Sequence, residues 1–154
     1  MIRILFVCLG NICRSPMAEF VCRDMVEKQG RAKAFFIASA GTSAEEAGNP
    51  VHRGTRGKLW EHGISCAGKT AVPLQKADYQ RYDLLIAMEE RNARAMHRLF
   101  GGDPEAKIHT LLEYTPRGGD IADPWYTGDF EATWRDVSEG CEGLLQAVIT
   151  QNAP

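Results

Sequence analysis

The run Ile2 to Val7 is apolar apart from Arg3. It delivers Cys8 to a short polar turn, which ends where Ser15-Pro16 opens a helical pattern over Met17 to Gln29. Such a run, followed at once by a tight turn and a helix, predicts a central parallel strand covered on both faces and joined to a crossover helix. Ser is a good N-cap and Pro suits the first helical position, so Ser15 and Pro16 are expected to start the helix, with Glu19 in its favourable first turn. Gly10-Asn11 supplies the unusual backbone angles that so tight a turn needs.

The same stretch has a chemical reading. A thiol at a helix N-terminus sits in the field of unpaired N–H groups and the positive end of the dipole, which favours the nucleophilic thiolate. Successive N–H groups in a tight loop form a cradle for a phosphate or similar oxyanion over the sulfur. Arg14 stands six residues after Cys8, and its planar guanidinium can clamp two oxygens of a phosphoryl group. Cys8 could otherwise be a small buried hydrophobe closing an apolar strand. The strand–turn–helix setting favours the chemical reading.

Met17, Phe20, Val21 and Met25 recur at helical spacing, so the first helix packs on the sheet, and Gly30 ends it. Phe35 to Ala38 reads as a second strand, with Ser39 to Thr42 the turn at its end. A helix is expected over Val51 to His62, one helical turn over Gln75 to Tyr79 and a third strand over Tyr82 to Met88. A charged helix over Glu89 to Phe100, a fourth strand over Lys107 to Leu112, a long loop over 115–128 and a last helix over Phe130 to Ile149 follow. This alternation predicts one layered α/β domain over residues 1–154 with a parallel sheet, its ligand outside the carboxyl ends of the strands. Cys8, the Ser39–Thr42 turn, the segment after Met88 and the 115–128 loop would all gather at that edge.

A chain of 154 residues can bury a sizeable single core. A net charge of −2 argues against nucleic-acid or membrane partners by bulk electrostatics, and no apolar run reaches transmembrane length. Five cysteines without framework or metal-ligand spacing, and no signal-peptide pattern ahead of the first strand, point to a cytoplasmic protein with reduced thiols and no metal site. His52, His62, His97 and His109 read as structural or surface residues.

A thiolate attacking phosphorus needs a proton delivered to the leaving oxygen, the task of a general acid. Asp123, in Ile121-Ala122-Asp123-Pro124-Trp125-Tyr126, is the best candidate: it lies in a long loop, and Trp125 and Tyr126 beside it can line a pocket for an aromatic leaving group. Asp-Pro is otherwise a plain turn initiator. Asp120 is a weaker alternative.

Together these segments resemble the low-molecular-weight protein-tyrosine phosphatases. The residues that carry the likeness are Val7-Cys8-Leu9-Gly10-Asn11-Ile12-Cys13-Arg14-Ser15-Pro16-Met17-Ala18-Glu19 and Asp123-Pro124-Trp125-Tyr126. Ser39-Ala40-Gly41-Thr42, Gly48-Asn49-Pro50 and His62-Gly63-Ile64 add weaker support. The resemblance implies a three-layer fold whose four parallel strands lie in the order 2-1-3-4, and hydrolysis of phosphotyrosine in proteins and of small aryl phosphates. It implies Cys8 as nucleophile through a phosphocysteine, Arg14 as phosphate clamp, and Asp123 as acid and then base. Leu9, Gly10, Asn11, Ile12, Cys13 and Ser15 would enclose the phosphate, with Trp125 and Tyr126 along the substrate. Ser15 would donate to the Cys8 sulfur, and Asn11, supported by Ser39, would hold the loop in its strained shape. Cys13 would lie close enough to Cys8 for a protecting disulfide. No metal or organic cofactor is implied, and the expected state is a monomer.

Two departures stand out. Glu89 replaces the Asp that often follows the third-strand Met, and Ser43-Ala44-Glu45-Glu46 replaces an aromatic wall, making one side of the pocket more open and more acidic. Gly63-Ile64-Ser65-Cys66-Ala67-Gly68-Lys69-Thr70 matches the nucleotide-binding P-loop letter for letter. It lacks the strand before and the helix after that such a loop needs, and Pro73 falls where the helix should run. A thioredoxin-coupled arsenate reductase would require further cysteines in residues 79–100, where there are none. An arginine phosphatase of the same fold tends to carry Thr where this chain has Ile12, whose apolar side chain suits phosphotyrosine. A binding module with a dead site would have lost the nucleophile, the Arg or the acid, and all three are present.

Overall fold

The computed structural model describes residues 1–152, so the last two residues of the expected 1–154 domain lie outside the described residues. The elements run β1 (Ile2–Cys8), α1 (Arg14–Lys28), β2 (Phe35–Gly41), α2 (Arg53–Glu61), α3 (Asp78–Arg81), β3 (Leu84–Ala87), α4 (Glu90–Phe100), β4 (Ile108–Thr110), α5 (Pro124–Thr127) and α6 (Phe130–Gln151), with 3-10 turns at Ala32–Ala34 and Leu111–Tyr114. The strands form one sheet in the order β2-β1-β3-β4, every pairing parallel, as expected.

Strand periodicity decides the layering. Ile4, Phe6 and Cys8 of β1 point into a core shared with Met17, Val21 and Cys22 of α1 and with Val137, Cys141, Leu144, Leu145 and Val148 of α6. Leu5 and Val7 point the other way, into a smaller core with Tyr79 of α3 and Ala93 and Met96 of α4. Helices therefore cover both faces, which is why β1 reads as a continuous apolar run from Ile4 onward. Among the described residues, no helix is long and apolar enough to cross a membrane.

Several boundaries differ from the sequence expectation, each for a local reason. Helix α1 starts at Arg14, with Cys13 at the N-cap position and no side-chain cap. Ser15 and Pro16 are thus its second and third residues, and Pro16 is tolerated because first-turn N–H groups have no helical acceptor anyway. Glu19 lies beyond the first turn and is buried. Strand β2 continues through Ser39 to Gly41, because its ladder with β1 runs from Ile2–Phe35 to Cys8–Gly41 and outweighs the turn propensity of Ser-Ala-Gly. Helix α2 begins only after Pro50, which bridges to Thr70, and its cap is the His52 ring, whose Nδ1 accepts from Gly54 N. Leu111 and Leu112 leave β4 for a 3-10 turn closed by a Thr110/Glu113 capping box. Within the long loop, Asp123 caps the one-turn helix α5, with Pro124 at its start.

The carboxyl ends of β1, β2 and β3 meet at one edge. The Cys8 and Leu9 carbonyls accept from Thr42 N and Ser43 N, each at 2.9 Å, tying the end of β2 to the loop after β1. A Cβ at Gly41 would stand 2.8 Å from the Leu9 carbonyl oxygen, so only glycine permits this approach.

Candidate active site

A cleft of about 180 Å³ opens at this edge, lined by Cys8, Arg14, Asp123, Trp125, Glu45 and other residues of the same loops. Cys8, Leu9, Gly10, Ile12 and Cys13 form its floor and near wall, and Trp125 and Tyr126, both exposed, form its rim. Ser43, Glu45 and Glu46 stand on the remaining side, where an acidic wall was expected.

Cys8 ends β1 almost completely buried, and its Sγ lies 3.0 Å from Ser15 Oγ. Which of the two donates follows from their neighbours. Val72 N–H donates to Asn11 Oδ1 at 3.0 Å, which sets the Asn11 amide with its Nδ2 toward the serines. That nitrogen donates to Ser15 Oγ at 2.8 Å and to Ser39 Oγ at 2.9 Å. Ser39 in turn donates to Glu19 Oε1 at 2.6 Å. Ser15 is thus an acceptor from Asn11, and its single proton is left for the Cys8 sulfur. The same bonds hold Asn11 at φ 59°, a left-handed conformation that costs a non-glycine residue about 1–2 kcal/mol and that Asn adopts more readily than most.

Arg14 is 2% exposed. Its Nη1 donates to the Ile121 carbonyl at 3.0 Å and lies 3.2 Å from Glu89 Oε2, while Nη2 lies 3.3 Å from Asp123 Oδ2. Two carboxylates and a carbonyl thus hold the guanidinium over the loop, the compensation a buried charge requires. Asp123 accepts from Trp125 N through Oδ1, so the cap of α5 also orients this carboxylate. Burial, with the Cys8 and Asp123 charges nearby, pushes the Cys13 thiol up to about 12, so this cysteine stays protonated at neutral pH.

A family model described as low molecular weight phosphotyrosine protein phosphatase matches residues 3–153. The chain belongs to that family. It is 40% identical over 150 residues to the low molecular weight protein-tyrosine-phosphatase YfkJ of Bacillus subtilis, covering 96% of each chain. The crystal structure of YfkJ superposes with a TM-score of 0.94, covering 100% of this chain and 98% of the other. The human low molecular weight phosphotyrosine protein phosphatase is 36% identical over 148 residues, 93% of each chain. A structure described as a Drosophila arginine phosphatase is also similar, at 28% identity and TM-score 0.84, covering 94% of this chain and 96% of that one.

Seen as a phosphatase-family site, the cleft gathers every residue singled out in the sequence except Ser39, Asn11 and Ser15, which stand behind its floor. Asp120, the alternative acid, is turned away: its Oδ1 accepts from Glu90 N at 2.9 Å, at the start of α4. Sequence reasoning missed four contributors. Glu89, noted only as a departure, pairs with Arg14 while its carboxylate also caps α4 in a reciprocal box with Asn92. Glu19, assigned to a helix start, anchors the serine chain. Local spacing signalled only its ion pair with Arg23, four residues on. His52, read as structural or surface, donates its backbone N–H to the Ile12 carbonyl at 2.8 Å and sets its ring 5.5 Å from Trp125. Lys69, taken from the discarded P-loop match, reaches the same buried network, and no local pattern could have placed it there.

Proposed function

We propose that this protein is a protein-tyrosine phosphatase working through two phosphoryl transfers on Cys8. The carrying observation is the one-way hydrogen-bond chain that leaves the Ser15 proton for the Cys8 sulfur, beside a buried arginine and an oriented aspartate. In the first step the Cys8 thiolate attacks phosphorus, the P–O bond to the tyrosyl oxygen breaks, and protonated Asp123 gives its proton to the departing phenolate. Arg14 and the uncapped first-turn N–H groups of α1 hold the charge on the phosphoryl oxygens. In the second step Asp123, now a carboxylate, takes a proton from water as the water oxygen attacks phosphorus. The S–P bond breaks, and Ser15 donates to the departing thiolate. Leu9, Ile12, Trp125 and Tyr126 supply apolar flanks for the phenyl ring.

The likeness to an arginine phosphatase supports a second reading in which the same loop cleaves a P–N bond. Ile12 and the aromatic rim favour the phenyl ring. The test is phosphate release from phosphotyrosine and phosphoarginine peptides at mildly acidic pH, wild type beside Cys8→Ser. Turnover of phosphotyrosine that vanishes in the variant is the expected result. Turnover chiefly of phosphoarginine selects the second reading, and full activity in Cys8→Ser overturns both.

A further inference from the structure

The P-loop-like segment has no nucleotide-binding mount, yet it lies as a strap behind the catalytic loop. Ala71 N donates to the Asn49 carbonyl at 2.8 Å, Val72 N to Asn11 Oδ1, and the Val72 carbonyl accepts from Gly41 N at 2.8 Å. Lys69 begins this strap. Its side chain is 13% exposed, its Nζ donates to the Ser39 carbonyl at 3.0 Å, and it lies 3.4 Å from Glu19 Oε1.

We propose that Lys69 is a positioning residue for the nucleophile, acting through Glu19, Ser39, Asn11 and Ser15. The proposal rests on the reading of Cys8 as nucleophile. The two Glu19 oxygens are divided between different cations. Oε2 pairs at 2.7 Å with Arg23, which is half exposed and also bonded to the Ile37 carbonyl. Oε1 receives both the Ser39 hydroxyl and Lys69. Oε1 is the atom that polarises the chain. Asn11 spends both Nδ2 protons on Ser15 and Ser39, so Ser39 must find an acceptor for its own proton, and a charged carboxylate oxygen is the one it has. A carboxylate this buried stays charged only while paired. Without the Lys69 charge, Arg23 is the cation left to hold the carboxylate, and Oε1 is free to turn toward it. Ser39 then loses its fixed acceptor, Asn11 its fixed acceptors, and Ser15 the constraint that aims its proton at sulfur. The other charged or titratable groups around Cys8 are Arg14, Cys13, Asp123, Glu45 and Glu46, with Glu89 acting through Arg14, and Lys69 touches none of them.

The experiment measures the rate of Cys8 alkylation by iodoacetamide across pH, located by peptide mass spectrometry, with kcat on an aryl phosphate in parallel. In Lys69→Met the midpoint of the alkylation profile is expected to rise by about one pH unit, a tenfold slower reaction at mildly acidic pH. The melting temperature separates this from general unfolding. Lys69→Gln keeps a donor for the Ser39 carbonyl but no charge, so it should behave like Lys69→Met, while Lys69→Arg restores most of the wild-type profile. Wild-type midpoints and kcat in a folded Lys69→Met or Lys69→Gln overturn the proposal. Wild-type enzyme that remains active after Cys8 is alkylated overturns the nucleophile reading instead.

Discussion

Residues 8–15 and 63–70 each carry a pattern able to cradle phosphate, and the fold mounts only the first on a helix start. The first joins the end of β1 to the start of α1, so its sulfur, its uncapped helix start and its arginine face one cleft. The second follows α2 and runs irregularly to the Pro50–Thr70 bridge, and its lysine turns inward to the Ser39 carbonyl. A phosphate loop is therefore a matter of mounting: the helix behind it supplies unpaired N–H groups at the anion, and without that helix the glycines and lysine are free for other work.

The comparison is sharpened most by changing the acid that faces the first loop. Asp123→Ala is expected to lower kcat on a phenyl phosphate about a hundred- to ten-thousandfold, while inorganic phosphate still protects Cys8 from alkylation. An unchanged kcat would leave the first loop without its acid. Next comes the arginine that closes that loop. Glu89→Gln removes the charge of one ion-pair partner of Arg14 and should lower kcat about tenfold, about 1.4 kcal/mol in the barrier. Glu89→Ala also loses the α4 cap and should cost a further ~1 kcal/mol of stability in urea unfolding. Equal stability in the two variants would remove the cap from the account.

The smallest effect contrasts the cysteines of the two segments. Burial raises both the Cys13 and Cys66 thiols above their ordinary 9.0, Cys13 to about 12. A group whose folded value is raised contributes stability in full below its unfolded value and loses it as pH climbs toward the folded one. Melting temperature should therefore decline between pH 9 and 12, and Cys13→Ala should flatten that decline more than Cys66→Ala. The reverse order would place the more strongly buried thiol in the second segment.

Most of the fold was legible because its signals are local. An apolar run bounded by a turn marks β1, and apolar residues at helical spacing mark α1 and α6. Cys8, Arg14 and Asp123 were legible as well: two share one loop, and the third carries an Asp-Pro-aromatic pattern. Boundaries were misread where a ladder or a cap overrode propensity, as when pairing with β1 drew Ser39 to Gly41 into a strand. Glu89, His52 and Lys69 escaped because their partners, Arg14, Trp125 and Ser39, are each about thirty or more residues away in sequence. Side-chain spacing within one element says nothing about such pairs.

By itself the sequence determined the alternation of strands and helices, the thiol at a helix start, and the arginine six residues beyond it. These follow from periodicity of 2 and 3.6 and from residue chemistry at short range. Only the tertiary structure decided the direction of the hydrogen bonds behind Cys8, which carboxylates hold Arg14, and that the lysine of a phosphate-loop motif serves as a prop. Those outcomes depend on which buried polar groups meet, and each must find a partner wherever the packed chain supplies one.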